Sequence, residues 1–135
     1  MKKALIYTDG ASSGNPGPAG IGVVIEIDGQ KKTLSEYIGE TTNNVAEYTA
    51  LVRALQLAHQ RRVGSVEVFT DSELLVKQLN GQYRVRNEGL LPLYRKVISL
   101  LKSFKSSKIT HIPREQNREA DRLSKDAIKK ARNTR

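Results

Sequence analysis

Four acidic residues stand at positions where a purely structural acid would be a poor choice. Asp9 and Asp71 each follow an apolar run typical of a strand, in the matched contexts Tyr-Thr-Asp-Gly and Phe-Thr-Asp-Ser. In open α/β sheets, ligands bind outside the carboxyl ends of the strands. The two aspartates would therefore converge if their strands are parallel neighbours. The alternative for each one alone is a cap on the turn or helix that follows it.

Glu47 is unusual for a different reason. On an ideal helix it shares a face with Leu51, Ala54 and Ala58, and such a face is expected to pack against a sheet. An isolated carboxylate there would cost several kcal/mol in desolvation unless a cation compensates it. A helix dipole favours an acid near the N-terminus by roughly 0.3–1 kcal/mol. A solvent-facing acid would gain the same benefit, so the dipole does not explain the placement.

Asp121 lies near the start of the last predicted helix, where an acid is common without any function. A functional role would be the better interpretation only if Asp121 converged with the other three acids. Four carboxylates placed together raise one another's pKa values unless divalent cations neutralise them. Two such cations about 3.5–4 Å apart can activate a water and stabilise the leaving oxygen of a phosphodiester. These acids therefore predict a metal-dependent nuclease.

The composition limits which metal such a site would hold. The chain has 135 residues, no cysteine and two histidines, which excludes disulfides, thiol nucleophiles and histidine-rich or cysteine-based metal sites. Carboxylate ligands favour hard cations, so we expect Mg²⁺, with Mn²⁺ as a substitute. The length predicts one domain, 1–135. The first apolar run is only 4–7, too short for a secretory signal or a membrane span, and predicts a cytoplasmic protein without membrane contact.

The net charge of +9 is unevenly distributed along the chain. Residues 1–60 hold five Lys/Arg and six Asp/Glu, whereas residues 61–135 hold eighteen and eight. A basic surface attracts polyanions, although solubility alone would also explain it. A basic C-terminal tail at about 128–135 adds to this charge. Cations are favoured at a helix C-terminus in any case, so a binding role for the tail stays open.

Hydrophobic periodicity predicts the order β-β-β-α-β-α-α-β-α. This order indicates an α/β fold with a five-stranded mixed sheet, three antiparallel strands plus two parallel ones, flanked by helices. Asp28-Gly29 predicts a hairpin turn, Asn43 or Asn44 a helix cap, and Ser72 a second cap. The predicted strands are 3–8, 21–27, 31–39, 66–70 and 108–112, the predicted helices are 43–60, 72–79, 90–104 and 117–130, and 11–18 is predicted as a loop.

With these elements in place, the chain resembles the type 1 ribonuclease H family, ribonuclease HI, over nearly its whole length. The resemblance depends on four ordered blocks, each weak alone and strong together. They are Thr8-Asp9-Gly10 with Gly-Asn-Pro-Gly-Pro at 14–18, Thr-Asn-Asn-Val-Ala-Glu at 42–47, Thr70-Asp71-Ser72, and Asn-Arg-Glu-Ala-Asp at 117–121.

The resemblance implies two-metal hydrolysis of the RNA strand in RNA–DNA hybrids, leaving 5′-phosphate and 3′-hydroxyl ends. Asp9 and Asp71 would contact the metals most directly, Glu47 would hold one metal and help read a 2′-hydroxyl, and Asp121 would complete the second metal site. Short polar side chains suit minor-groove hydroxyl and phosphate contacts. The residues expected to bind substrate are Ser12, Asn15, Thr42, Asn43, Asn44, Arg84 and Arg86.

The chain departs from the family pattern at three places. Many members carry a loop histidine before the last acid; here His111 falls within a predicted strand, and Arg114 is the better substitute as a catalytic residue. Glu73 stands where relatives often have glutamine. The long basic protrusion of some relatives is reduced to 82–89, which retains Arg84 and Arg86.

Other functions remain open at this stage. One is a nuclease of the same fold that acts on double-stranded RNA or branched DNA. Another is a non-catalytic hybrid-binding module, which should have lost one of the four acids. A small basic RNA-binding protein would leave Glu47 unexplained. We expect the protein to act as a monomer.

Overall fold

The computed structural model describes residues 2–133 and confirms the predicted order of elements. The strands are β1 Lys3–Ser12, β2 Gly17–Ile27, β3 Gln30–Thr41, β4 Ser65–Thr70 and β5 Ser106–His111. The helices are α1 Asn43–Gln60, α2 Glu73–Leu79, α3 Leu91–Lys102 and α4 Arg118–Asn133, with a short 3₁₀ turn at Arg114–Gln116. The predicted tail therefore falls on the end of α4, and 134–135 lie outside the described residues.

The sheet has the strand order β3-β2-β1-β4-β5 across the described residues. β1, β2 and β3 form an antiparallel meander, β4 lies parallel to β1, and β5 lies parallel to β4. The mixed sheet predicted from the sequence is thus confirmed. Asp28 and Gly29 both adopt positive φ, 53° and 77°, which is the conformation that a two-residue hairpin with an Asp-Gly turn requires.

The two faces of β2 carry different helices because successive side chains of a strand point to opposite sides. Val23 and Ile25 belong to the main hydrophobic core, which contains the apolar face of α1. Gly20 and Gly22 lie directly beneath α4. The helices that contain Glu47 and Asp121 therefore approach the sheet from opposite faces.

Two local predictions need correction. The loop predicted at 11–18 is shorter, since β1 continues through Ser12 and β2 begins at Gly17; both strands keep their antiparallel pairing up to Ser12 and Ala19. The cap of α1 is Thr42, not Asn43 or Asn44. Its hydroxyl accepts a hydrogen bond from the Val45 N–H at 3.2 Å, and its extended backbone suits a residue just outside the helix.

The remaining caps agree with prediction. Ser72 accepts a hydrogen bond from the Leu75 N–H at 3.2 Å and begins α2, and Gly81, at φ 80°, follows the end of that helix. Within residues 2–133 none of the helices combines the length and the apolarity that a membrane crossing would require.

Candidate active site

The parallel pairing of β1 and β4 brings two of the acids to one edge of the sheet. Tyr7 pairs with Phe69, so Asp9 and Asp71 lie two positions further on, side by side. Asp9 is 5% exposed, and Asp71 directly follows β4. One carboxylate oxygen from each of these aspartates and one from Glu47 lie within 4.8 Å of one another.

A glycine contact places Glu47 in this cluster. A Cβ added to Gly10 of β1 would lie 2.2 Å from the carbonyl carbon of Ala46 and 2.5 Å from the Glu47 nitrogen. Such distances are too short for any side chain, so only glycine lets the first turns of α1 approach β1 this closely. Glu47 is consequently 6% exposed. Its Oε2 has no hydrogen-bond partner among the described residues.

Burial and crowding make the ionised form of these acids unfavourable. Burial raises the pKa of Asp9 to about 7, with further upward contributions from the charges of Asp71 and Asp121. Burial, followed by the negative charge of Asp9, raises the pKa of Glu47 well above its ordinary value. Divalent cations bound among these oxygens would remove both penalties. The unpartnered Glu47 oxygen and the all-carboxylate donor set fit Mg²⁺ or Mn²⁺.

Asp121 joins the cluster from α4 and has a different environment. Burial disfavours its charged form, but a hydrogen bond with Asp9 and the ammonium of Lys125 together hold its pKa below the ordinary value. The Lys125 Nζ lies 3.0 Å from its Oδ2. The Arg114 Nη2 lies 4.0 Å from its Oδ1. The pKa of Asp121 is therefore lowered, whereas those of Asp9 and Glu47 are raised.

The start of α4 is fixed against the sheet by backbone contacts. A Cβ added to Gly22 would lie 2.1 Å from the carbonyl oxygen of Ala120, so β2 must have glycine where α4 crosses it. The buried Asn117 side chain donates from Nδ2 to the Thr8 carbonyl at 2.9 Å. These contacts bring Asp121 beside Asp9, although the two residues are far apart in the sequence.

The four acids line a cleft of about 560 Å³. Ser12 and Asn43, two of the residues expected to bind substrate, also line it. They are joined to each other and to Asn15: the Ser12 N–H donates to Asn43 Oδ1 at 3.3 Å, and the Asn43 N–H donates to Asn15 Oδ1 at 3.0 Å. The full lining is Asp9, Gly10, Ala11, Ser12, Asn43, Glu47, Asp71, Ser72, His111, Ile112, Pro113, Arg114, Asp121 and Lys125.

Other predicted substrate residues lie outside this lining. Thr42 caps α1, and Asn44 is exposed in its first turn. Arg84 and Arg86 are exposed on the segment between α2 and α3. None of these four residues lines the cleft of the acids.

His111 and Arg114, the two candidates for the role of the family's loop histidine, both line the cleft. His111 belongs to a strand, as predicted; it is the last residue of β5 and is exposed. Arg114 belongs to the following 3₁₀ turn, with a side chain that is 70% exposed. The second departure from the family pattern, Glu73, forms an ion pair with Lys77 at 2.7 Å and is absent from the cleft lining.

Sequence analysis missed two polar residues of this region, Asn117 and Ser124. Asn117 was noted only as the start of a helix and a motif position, and its bond to β1 depends on the tertiary structure. Ser124 is 0% exposed, and its Oγ lies 2.7 Å from the carbonyl oxygen of Asp121 and 3.3 Å from Asp9 Oδ2. The available signal was a small polar residue four positions after Ala120, on the apolar stripe of the helix.

Comparisons with known proteins agree with this fold. Residues 7–127 match the reverse transcriptase-like family. The bifunctional protein Rv2228c of Mycobacterium tuberculosis is 40% identical over 129 residues, which cover 93% of this chain and 35% of that protein. The chain thus spans about a third of the length of the first relatives it matches. The ribonuclease H of Desulforamulus reducens is 32% identical, with 96% of this chain and 89% of the relative covered.

Two solved structures are similar over almost their whole length. RNase H1 of the halophilic archaeon Halobacterium salinarum has a TM-score of 0.91 at 38% identity, with 95% of this chain and 98% of that chain covered. LC11-RNase H1, in complex with an RNA/DNA hybrid, has a TM-score of 0.87 at 46% identity, with 95% and 98% covered.

The mixed sheet, the four helices and the acidic cleft define a domain of the ribonuclease H fold. With the matches to full-length relatives, they establish that this chain belongs to the ribonuclease H family.

Proposed function

We propose that this protein is an endoribonuclease that hydrolyses the RNA strand of RNA–DNA hybrids. The observation that carries the proposal is the meeting of Asp9, Glu47 and Asp71 within 4.8 Å, in a cleft that Asp121 also lines. A family member similar to this chain has been solved with an RNA/DNA hybrid, which supports the same substrate here.

The acids would hold two Mg²⁺ ions, or Mn²⁺ in their place. When bound, the ions supply charge neutralisation, activation of a water and stabilisation of the leaving oxygen. Asp9 and Asp71 would contact the ions most directly, Glu47 would contribute from α1, and Asp121 would contribute from α4. The products would carry 5′-phosphate and 3′-hydroxyl ends.

The chain's own cations and polar loop residues would position the substrate. Arg114 and Lys125 lie on the Asp121 side of the cleft and would attract the phosphate next to the cut. Ser12 and Asn43 line the same cleft as Glu47, where contact with a 2′-hydroxyl would distinguish RNA from DNA. Thr42, Asn44, Arg84 and Arg86 would contact more distant parts of the hybrid. Residues 1–135 would act as one domain and as a monomer.

A cleavage comparison tests the proposal. End-labelled RNA–DNA hybrid, duplex RNA and duplex DNA of one sequence are incubated with the protein in Mg²⁺, Mn²⁺ or EDTA. We expect cleavage of the RNA strand of the hybrid, at internal positions, in either metal and none in EDTA. Preferential cleavage of duplex RNA would instead identify a different nuclease of this fold, and binding without cleavage would identify a hybrid-binding module.

A further inference from the structure

Ser124 lies between two of the acids but belongs to none of the motifs that define the family resemblance. Its side chain is 0% exposed, on the face of α4 that packs against β2. Its Oγ has two acceptors in reach, the carbonyl oxygen of Asp121 at 2.7 Å and the Oδ2 of Asp9 at 3.3 Å. Both acceptors belong to residues of the acidic cluster.

We propose that Ser124 is a positioning residue for Asp9, whose carboxylate it holds in the orientation that binds a divalent cation. A serine hydroxyl has one proton, so it donates to one of the two acceptors at a time. Both acceptors are within hydrogen-bond distance of the same Oγ position, so the proton can turn from the Asp121 carbonyl to Asp9 Oδ2. Donation to Asp9 Oδ2 fixes that oxygen and leaves the other carboxylate oxygen for a cation. This role rests on the proposed metal site.

The backbone around Ser124 leaves its hydroxyl little freedom to move away. A Cβ added to Gly22 would lie 2.8 Å from the Ser124 nitrogen, and a Cβ added to Gly20 would lie 2.4 Å from its carbonyl oxygen. The peptide units of Ser124 therefore rest directly on β2, and β2 is paired with β1 at Asp9 through Gly22. The distance between Oγ and the carboxylate is thus set by backbone contacts.

A helix serine often bonds to a carbonyl one turn earlier without any function, so this simpler role must be separated from positioning. Ser103 provides the matched control. Its Oγ donates to the Leu100 carbonyl at 2.6 Å, three residues earlier, as Ser124 does toward Asp121. Ser103 is exposed at the end of α3 and lies outside the acidic cleft. Ser103→Ala removes the local bond alone.

Titration calorimetry with Mn²⁺ alone, on the full chain without nucleic acid, tests the role of Ser124. Loss of a hydrogen bond to a metal-binding carboxylate typically weakens metal affinity or activity by about 10–100-fold. We expect Ser124→Ala to weaken Mn²⁺ binding by about tenfold, and Ser103→Ala to leave it unchanged. In cleavage assays at saturating metal, Ser124→Ala should lower kcat while KM for the hybrid stays within about twofold, since no substrate contact is lost.

Ser124→Cys is a second variant, which keeps the test valid if Ser124→Ala fails to fold. The thiol is similar in shape and a much weaker donor, so this variant should fold and bind Mn²⁺ as poorly as Ser124→Ala. Circular dichroism reports whether each variant folds. Wild-type Mn²⁺ affinity in either folded Ser124 variant, or an equal loss in Ser103→Ala, would overturn the positioning role.

The same experiment separates this inference from the proposed function. Mn²⁺ binding that depends on Ser124, in a protein that cleaves no hybrid, would support the positioning role and contradict hybrid cleavage. A wild-type protein that binds no Mn²⁺ would overturn both the metal site and the role of Ser124.

Discussion

Tyr7 pairs with Phe69 across the parallel strands β1 and β4, and each residue stands two positions before an aspartate. Their rings stack with centroids 4.9 Å apart. Because the strands run in the same direction and in register, the two aspartates lie side by side just beyond the end of the β1–β4 pairing. As a result, the negative charge of Asp71 adds to the effect of burial in raising the pKa of Asp9.

Asp71→Asn should abolish cleavage while the fold persists. The amide keeps the size of the side chain but removes a charged cation ligand, and we expect activity in Mg²⁺ or Mn²⁺ to fall at least about a hundredfold. It also removes a negative charge that raises the pKa of Asp9, so the metal-free protein should be no less stable. Cleavage rate, melting temperature and hybrid affinity are measured together. Unchanged turnover would remove the proposed mechanism.

The stability of the metal-free protein should depend on the ionisation of Asp9. Its pKa is about 7 in the folded state against an ordinary value of 3.8, so the folded state binds more protons between these values. The contribution of the protonated Asp9 carboxyl to the free energy of unfolding is therefore lost as pH rises from about 4 to about 7. This contribution is on the order of 4 kcal/mol, since one pKa unit corresponds to about 1.4 kcal/mol. Glu47 acts in the same direction.

Asp9→Asn provides the measurement. In EDTA, its free energy of unfolding relative to wild type should increase as the pH rises from 5 to 8. Added Mg²⁺ should increase the free energy of unfolding of the wild-type protein more than that of the variant. Glu88→Gln, in an exposed segment, is the control and should show no such trend. A pH-independent difference between Asp9→Asn and wild type would contradict the burial of an unfavourable charge.

Gly22→Ala should separate α4 from the sheet. The added Cβ would lie 2.1 Å from the Ala120 carbonyl oxygen, a backbone atom that cannot rotate aside. We expect a loss of about 1–3 kcal/mol or more in unfolding free energy, and a larger relative loss of activity, because Asp121 moves with the helix. Gly89→Ala, where the nearest atom is the Asn87 Oδ1 at 3.1 Å, should cost much less. Chemical denaturation and cleavage assays would show whether the two variants differ.

Arg114 and His111 can be distinguished by substitution. We expect Arg114→Ala to lower kcat by about tenfold, equivalent to about 1.4 kcal/mol of barrier, because its guanidinium is the group nearer to Asp121. His111→Ala should have a smaller effect and leave the pH profile unchanged. A profile that loses an ionisation near pH 6–7 in His111→Ala would assign the proton transfer to the histidine instead.

Arg84 and Arg86 should contribute to hybrid affinity through phosphate contacts. Replacing both with alanine should weaken binding and reduce the slope of log affinity against log salt by about two, roughly one per lost contact. The catalytic rate at saturating substrate should persist, since both residues lie outside the acidic cleft. Lys32→Ala with Arg61→Ala, which removes two cations that line a separate cleft, is the charge-matched control. Equal slopes for the two double variants would contradict a specific contact.

The sequence by itself determined the elements of this fold and two features of the site. Alternation and helical spacing are local properties, so the strands, the helices and the apolar face that contains Glu47 could be predicted from them. The matched contexts of Asp9 and Asp71 indicated two strand ends, which is correct for Asp71 and wrong for Asp9, since β1 continues to Ser12. Asp28-Gly29 indicated its turn because few other residues tolerate that backbone conformation.

Only the tertiary structure decided how these elements meet. The glycines at 10 and 22 matter because of the backbone that crosses them, and that backbone comes from a distant part of the chain. Thr42 rather than its neighbours caps α1, and Ser124 reaches Asp9 across 115 residues. Sequence periodicity reports which side of an element is buried. It does not report which atoms lie opposite, since that depends on the register and close approach of elements that are not neighbours in the chain.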